Sequence, residues 1–210
     1  VNAVTKEGGQ KYSGSFSADV GEYFTGNSDI WLGLDERQIN RNQDYKASFG
    51  GPILKERLSF FANVRYQNND NHLNGIRRFN VDDFSNFRED NPELWITQAS
   101  GDSAIVPMSN SENLSFLGKL TANVFKNFKA SFLYTRNDDE WNGYNHGFKY
   151  NPDGVPSSFR DSEMFALQFN HLISNSLFYE LKFSAIDNFN GWYLFEDPTD
   201  SRYVHDLFLD

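Results

Sequence analysis

Apolar and polar residues alternate strictly in several short stretches of this chain. Between Lys11 and Val20 every second residue is apolar or small, and the residues between them are polar. Because successive side chains of a strand point to opposite faces, such a stretch predicts a β-strand with one polar and one apolar face. The pattern recurs at Asp44–Phe49, Leu58–Gln67, Leu114–Val124, Phe128–Thr135, Phe165–Asn170 and Ser176–Ala185.

The two predicted faces differ in the charge that they carry. None of these stretches places a charged residue on its apolar face. The polar face accepts several, namely Lys46, Arg65, Lys119, Lys129, Glu180 and Lys182. A lysine or arginine that faces lipid at mid-membrane costs roughly 2–4 kcal/mol, so a lipid-facing surface excludes charge. A water-filled lumen accepts charge and a dry protein core does not. The pattern therefore predicts the wall of a transmembrane β-barrel.

The connections between the predicted strands alternate in length. The tight ones are Gly51–Arg57, Phe125–Asn127 and Ile173–Asn175, and the long ones are Thr25–Arg41, Asn68–Asn113, Asn137–Asp161 and the chain from Asp187 onward. Outer-membrane barrels combine short periplasmic turns with long extracellular loops. Tyr45, Tyr66 and Tyr134 lie on the apolar face next to long loops, where an interfacial aromatic girdle is expected. We therefore expect an all-β fold, an antiparallel meander of about seven tilted strands.

Seven strands do not close a bacterial single-chain barrel, whose strand number is even and at least eight. The chain also begins at Val1 with neither a signal peptide nor an initiator methionine, so we expect a mature, cut or partial chain. We expect a piece of a larger barrel, in which the outer edges of the first and seventh strands are unpaired within this chain. A soluble β-sandwich also produces one-sided alternation and stays open as an alternative, although it does not explain the alternating connection lengths.

The composition of the chain mainly argues against certain classes of function. The chain has 210 residues, a formal net charge of -10 and no cysteine. Its acidic residues concentrate in the long connections, which argues against nucleic acid as a partner. These loops are either solvated surface or sites for divalent cations or a cationic ligand. No histidine pair has ligand spacing and no catalytic motif occurs, so we expect no enzyme activity, no cofactor and no metal site.

Aromatic residues in the long loops are the remaining candidates for ligand binding. We assign Trp95, Trp141 and Tyr144 to a substrate site, because aromatic side chains above a barrel can stack on sugar rings or pack on peptide side chains. The alternative is that the same rings pack one loop against another.

Three segments resemble TonB-dependent outer-membrane receptors. The stretch Val1–Gly9, ahead of the first strand, resembles the junction between the plug domain and the barrel of that family. The stretch Gly50–Phe61 resembles its first periplasmic turn, especially in the Bacteroidetes type that carries an N-terminal carboxypeptidase-regulatory-like domain. Asn170–Ser176 resembles another of its short turns. The resemblance implies that residues 1–9 end the plug and residues 10–210 begin a 22-stranded barrel.

The resemblance also implies a function. It implies part of a transporter that imports a nutrient, such as an iron chelate, vitamin, oligosaccharide or peptide, across the outer membrane of a Gram-negative bacterium. The partners it implies are outer-membrane lipid, the TonB complex through an N-terminal region absent from this sequence, and a surface lipoprotein. The alternative is a small outer-membrane β-barrel or surface adhesin that binds without transporting.

Overall fold

The computed structural model of the protein describes residues 6–35 and 39–204. Seven long strands form the main sheet, and four short strands lie in the connection between the third and fourth of them. In chain order the strands are β1 (Ser13–Gly21), β2 (Asn42–Leu54), β3 (Leu58–Asn69), β4 (Asn74–Ile76), β5 (Ser85–Asn86), β6 (Ile96–Thr97), β7 (Ile105–Pro107), β8 (Ser111–Phe125), β9 (Phe128–Trp141), β10 (Ser157–Ser174) and β11 (Leu177–Tyr193). Single turns of 3₁₀ helix occur at Pro92–Leu94, His146–Phe148, Pro152–Gly154 and Ser201–Tyr203.

The main sheet is an antiparallel meander in the order β1-β2-β3-β8-β9-β10-β11, which confirms the predicted fold class. Each long strand pairs with its neighbour in the meander through a nearly unbroken register. The other sheets in the described residues are two-stranded pairs, β4 with β7 and β5 with β6. A sandwich needs a second large sheet, and none occurs in the described part of the chain.

Several strands are longer than the alternation predicts. β9, β10 and β11 have 14, 18 and 17 residues. Most of their extra residues lie at the end that faces the long loops, where Asp139 pairs with Arg160 and Trp141 with Ser158. Polar side chains occupy both faces there, so the alternation of polarity ends. The hydrogen bonds between the strands nevertheless continue.

The three short connections lie at the opposite ends of the strands, which we call the turn end of the sheet. They are residues 55–57, 126–127 and 175–176. Each follows a β-bulge, because the register shifts between Pro52 and Leu54, between Asn123 and Phe125, and between Leu172 and Ser174. Glu56 and Asn127 have positive φ angles of 65° and 66°, which tighten the first two turns.

The outer strands of the sheet each have one open edge. β1 pairs only with β2, and β11 pairs only with β10, among the residues that the structure describes. This confirms the predicted open edges. The apolar side chains are also exposed on the sheet as expected, for example Phe16 at 73%.

The long connections have a small core of their own. The segment between β3 and β8 folds into the two short strand pairs, and Met108 within it is only 2% exposed. Most of the buried apolar side chains in the described residues lie in connections, at Leu34, Phe84 and Met108, and Ala166 lies in the sheet. Connections that face water must bury their own apolar groups to be ordered.

Candidate functional site

An apolar band crosses the sheet on one face. Leu120 lies opposite Phe60 and Phe132, and Leu167 lies opposite Phe132 and Phe183, which makes one continuous row over five strands. Phe183 is 61% exposed. A contiguous apolar surface of this extent marks contact with a membrane or another protein.

Charged residues limit this band on the side of the long loops. Arg136, on the same face as Phe132, lies opposite Phe116 and Glu163, and Glu163 in turn lies opposite Asp187. From Phe165 to the bulge at Ile173, β10 presents roughly nine residues without a charge, which matches the 9–11 residues of a tilted transmembrane strand. The alternation missed these charges because the predicted strands stopped before them.

Tyrosines mark the same limit. Tyr45 and Tyr66 lie directly opposite each other on β2 and β3. The ring of Tyr134 packs on Phe165 at 4.9 Å between centroids, and its hydroxyl donates a hydrogen bond to Glu163 Oε1 at 2.7 Å. An apolar ring with its hydroxyl turned to polar groups is typical of a membrane-interface girdle.

The polar face holds an ion-pair network. Arg65 donates two hydrogen bonds to Asp44, at 2.9 and 2.7 Å, and Lys46 contacts the same carboxylate at 2.8 Å. Lys46 also lies 4.0 Å from Asp19. These side chains come from three neighbouring strands, so the face expected to line water is charged in the structure.

The segment ahead of β1 lies across this polar face. Glu7 accepts a hydrogen bond from Lys119 at 3.1 Å and another from Lys129, so one carboxylate contacts both β8 and β9. The Lys6 ammonium lies 5.5 Å from the centre of the Phe61 ring. A side chain at Gly8 would meet the carbonyl oxygen of Phe60 at 2.2 Å, so this crossing requires glycine.

The long loops join into a unit that we call the loop cap, residues 22–35, 39–41, 70–110 and 142–156. At its base Arg41 is 4% exposed and donates hydrogen bonds to Glu22 at 3.0 Å, to the Gly33 carbonyl at 3.1 Å and to the Asn71 carbonyl at 3.4 Å. Asn74 donates to the Leu32 carbonyl at 2.6 Å. A buried guanidinium therefore ties the first long loop to the second.

A second set of contacts ties the second long loop to the third. The Ile76 N–H donates to the Lys149 carbonyl at 2.8 Å, and Arg77 forms ion pairs with Asp102 at 3.1 Å and Asp153 at 2.5 Å. The hydrogen bond to Asp153 raises the pKa of Arg77. The Ala104 N–H, together with Arg77, holds the pKa of Asp102 below its usual range.

The three aromatic residues predicted to bind substrate have separate surroundings. Trp95 packs edge-on against Phe87 at 5.5 Å and donates from its indole nitrogen to the Glu89 carbonyl at 2.8 Å. Arg160 lies 5.3 Å from the Trp141 ring centre, and the Tyr144 hydroxyl lies 2.7 Å from His146 Nδ1. Trp95 therefore belongs to the β5–β6 hairpin, whereas Trp141 and Tyr144 follow one another at the end of β9. Their assignment to one site stays a prediction.

Within residues 6–35 and 39–204, no group of three or more histidine, aspartate or glutamate side chains is arranged to hold a metal ion. No helix in the described ranges is long and apolar enough to cross a membrane.

Comparison with known proteins identifies a similar protein. No family profile matches the chain, and no solved structure matches it. The chain is similar to the TonB-dependent transporter Oar of Myxococcus xanthus. The two are 28% identical over 152 residues, a stretch that covers 63% of this chain and 13% of that relative. The similarity therefore agrees with the family suggested by the sequence motifs, over a small part of the transporter's length.

Proposed function

We propose that this chain is part of the wall of an outer-membrane TonB-dependent transporter that imports a nutrient. The observation that carries the proposal is the exposed apolar row from Phe60 to Phe183. Charged residues and tyrosines limit this row on the side of the long loops, and the sheet that carries it has two open edges. Open edges in lipid would leave backbone groups without hydrogen bonds, so the sheet requires further strands. A 22-stranded barrel would supply them, and the similarity to a TonB-dependent transporter supports that source.

The proposal extends to domain organisation. Residues 1–9 would end a plug domain inside the barrel, and residues 10–210 would begin the barrel, as in the Bacteroidetes type with a carboxypeptidase-regulatory-like domain. The contacts of Glu7 and Gly8 support a chain that enters from the lumen, because they lie on the polar face. The first part of the junction motif, residues 1–5, lies outside the described residues.

The proposed surroundings follow from the same function. Lipid of the outer membrane of a Gram-negative bacterium would contact the apolar band. The TonB complex would act through the N-terminal region, and a surface lipoprotein would contact the loop cap. The nutrient would be an iron chelate, vitamin, oligosaccharide or peptide, and the chain would have no enzyme activity.

Uptake by cells that carry the full-length protein tests import. We expect the protein in the outer-membrane fraction, and uptake of its nutrient that stops when the TonB complex is deleted. Outer-membrane location with binding, but without TonB-dependent uptake, would favour the alternative of an adhesin.

The open edges distinguish a piece of a large barrel from a small complete one. The isolated 210-residue chain, refolded in detergent, should not give a protease-resistant monomer with heat-modifiable gel migration. A folded monomer of that kind would show that the chain closes on itself and would support the small-barrel alternative.

A further inference from the structure

A cavity of about 390 Å³ lies in the loop cap, between the start of β2 and the end of β3. Its lining includes Asp35, Arg41, Asp70, Asn74, Ile105 and Pro107. Sites for small organic ligands commonly have volumes of about 300–1,000 Å³ and a few fixed polar groups. This cavity has both properties, and it is formed by the parts of the cap that Arg41 holds together.

Two of the polar groups at the cavity are already engaged within the protein. Arg41 and Asn74 are 4% and 7% exposed, and Arg41 lies 3.5 Å from the Asn74 side-chain oxygen. The positive charge of Arg41 is matched by Glu22 at 3.0 Å, a pair that is almost fully buried. Arg41 and Asn74 are therefore already bonded within the protein.

Asp70 differs from these two residues. Its backbone N–H donates to the Arg41 carbonyl at 3.0 Å, so its position is fixed. Its side chain is half-buried, and none of the residues described in the structure donates a hydrogen bond to its carboxylate. Burial raises the pKa of Asp70, and the charge of Arg41 offsets only part of that effect. A carboxylate that is held in place at the cavity and is not bonded to the described residues can accept hydrogen bonds from a ligand.

The rest of the lining indicates an organic cation. Asp35 adds a second carboxylate to the described lining, and Arg41 is paired with Glu22. Ile105 and Pro107 provide an apolar wall. A bare metal ion would use neither residue, and no set of three metal-ligating side chains occurs in the described ranges.

We propose that this cavity binds a small organic molecule through its protonated amino group, with Asp70 accepting hydrogen bonds from the ammonium and Ile105 and Pro107 contacting the carbon skeleton. The role of the site rests on the proposed function, because it names the class of ligand that a transporter would capture. The binding itself does not depend on transport and is measured separately.

The test is calorimetric titration of the full-length protein in detergent with 1,5-diaminopentane and with 1,5-pentanediol, which has the same chain length and no charge. The unchanged protein should bind the diamine about tenfold or more tightly than the diol, since a charge-assisted hydrogen bond separates the two probes. Asp70→Asn should remove that preference. Asp197→Asn should keep it, because Asp197 lies in the loop after β11 and bonds to Thr199 there.

Thermal stability separates a binding role from a structural one. The folded state raises the pKa of Asp70, so it binds protons more readily than the unfolded state, and the charged carboxylate opposes folding above that pKa. Asp70→Asn should therefore keep or raise the melting temperature of the protein while it removes diamine binding. A lower melting temperature would assign Asp70 a structural role and overturn the proposal.

Other outcomes also decide the question. Equal affinity for diamine and diol, or diamine binding that survives Asp70→Asn, would overturn the site. Binding of Ca²⁺ without binding of the diamine would overturn the organic ligand. Diamine binding without TonB-dependent uptake would support the site and contradict import. TonB-dependent uptake without diamine binding would support import and contradict the site.

Discussion

The main sheet and the loop cap bury their apolar side chains in different ways. The sheet leaves Phe16 and Phe183 exposed, whereas Met108 in a connection is fully buried. Lipid would cover the apolar face of the sheet, so a single layer of strands needs no second layer. The cap would face water, so it must form its own core and satisfy its own polar groups. The surroundings of each region, rather than its secondary structure, therefore decide where burial occurs.

The largest expected effect tests whether lipid covers the apolar band. In the full-length protein, Phe132→Arg would place a charge within the row from Phe60 to Phe183, at a cost of roughly 2–4 kcal/mol. We expect little folded protein in the outer-membrane fraction. Ser131→Arg is the matched control, since it is one residue away on the polar face and should assemble nearly normally. Equal assembly of the two variants would contradict a lipid-facing band.

A smaller effect tests whether the cap has an independent core. Arg41→Met would remove the buried guanidinium that donates to the Gly33 and Asn71 carbonyls, and leaving such buried acceptors without a donor costs about 1–3 kcal/mol. We expect the cap to become sensitive to protease while the sheet keeps its heat-modifiable migration. The control is Arg57→Met, at an exposed position on the turn end of the sheet. It should leave the cap resistant to protease. Loss of the whole fold in Arg41→Met would show that the two regions are not independent.

The smallest expected effect concerns the contacts between the second and third long loops of the cap. The pKa of Asp102 is lowered in the folded state, so its contribution to stability is present above its unfolded pKa and is lost as pH falls through the folded pKa. Acidification should therefore lower the protection factor for hydrogen exchange, relative to the intrinsic rate at the same pH, at Ile76 and Phe79, whose N–H groups bond to the third loop. Arg77→Gln should exchange faster at neutral pH and respond less to acid.

The control for that experiment is Arg202→Gln. Arg202 pairs with Asp200 inside a single loop, so it should not change exchange at Ile76 or Phe79. Exposed ion pairs contribute little, roughly 0–1 kcal/mol, so the expected change is modest. If acid left the protection factors at both sites unchanged, the Arg77 contacts would not hold the loops together.

Different parts of the molecule were predictable to different degrees. The centres of the seven strands, their order and the open edges followed from local alternation, because period two is visible within a few residues. The extensions of β9 to β11 were not predictable, since polar residues on both faces give no alternation. Backbone pairing continues those strands, together with cross-strand side-chain contacts such as that of Arg160 with the Trp141 ring.

The candidate site was less accessible to sequence reasoning. Arg41 is separated from Asn74 by 33 positions in the sequence, and nothing local identifies the pair. Asp70 and Asp35 lie in two of the predicted long connections, and nothing in the local sequence distinguishes them from the other acidic residues there. Their different surroundings appear once the loops are folded together. The aromatic residues Trp95, Trp141 and Tyr144 were visible as a class, but sequence alone does not show which of them share a surface.

The contacts of Glu7 set the direction in which mechanical load would enter the sheet. Tension on the chain ahead of Lys6 would reach the Glu7 carboxylate before it reaches β1, and Lys119 and Lys129 would carry it into β8 and β9. A pull applied directly to the end of β1 would instead separate it from β2 one hydrogen bond at a time. The crossing therefore spreads force over the middle of the sheet and shields the strand with an open edge from being peeled away.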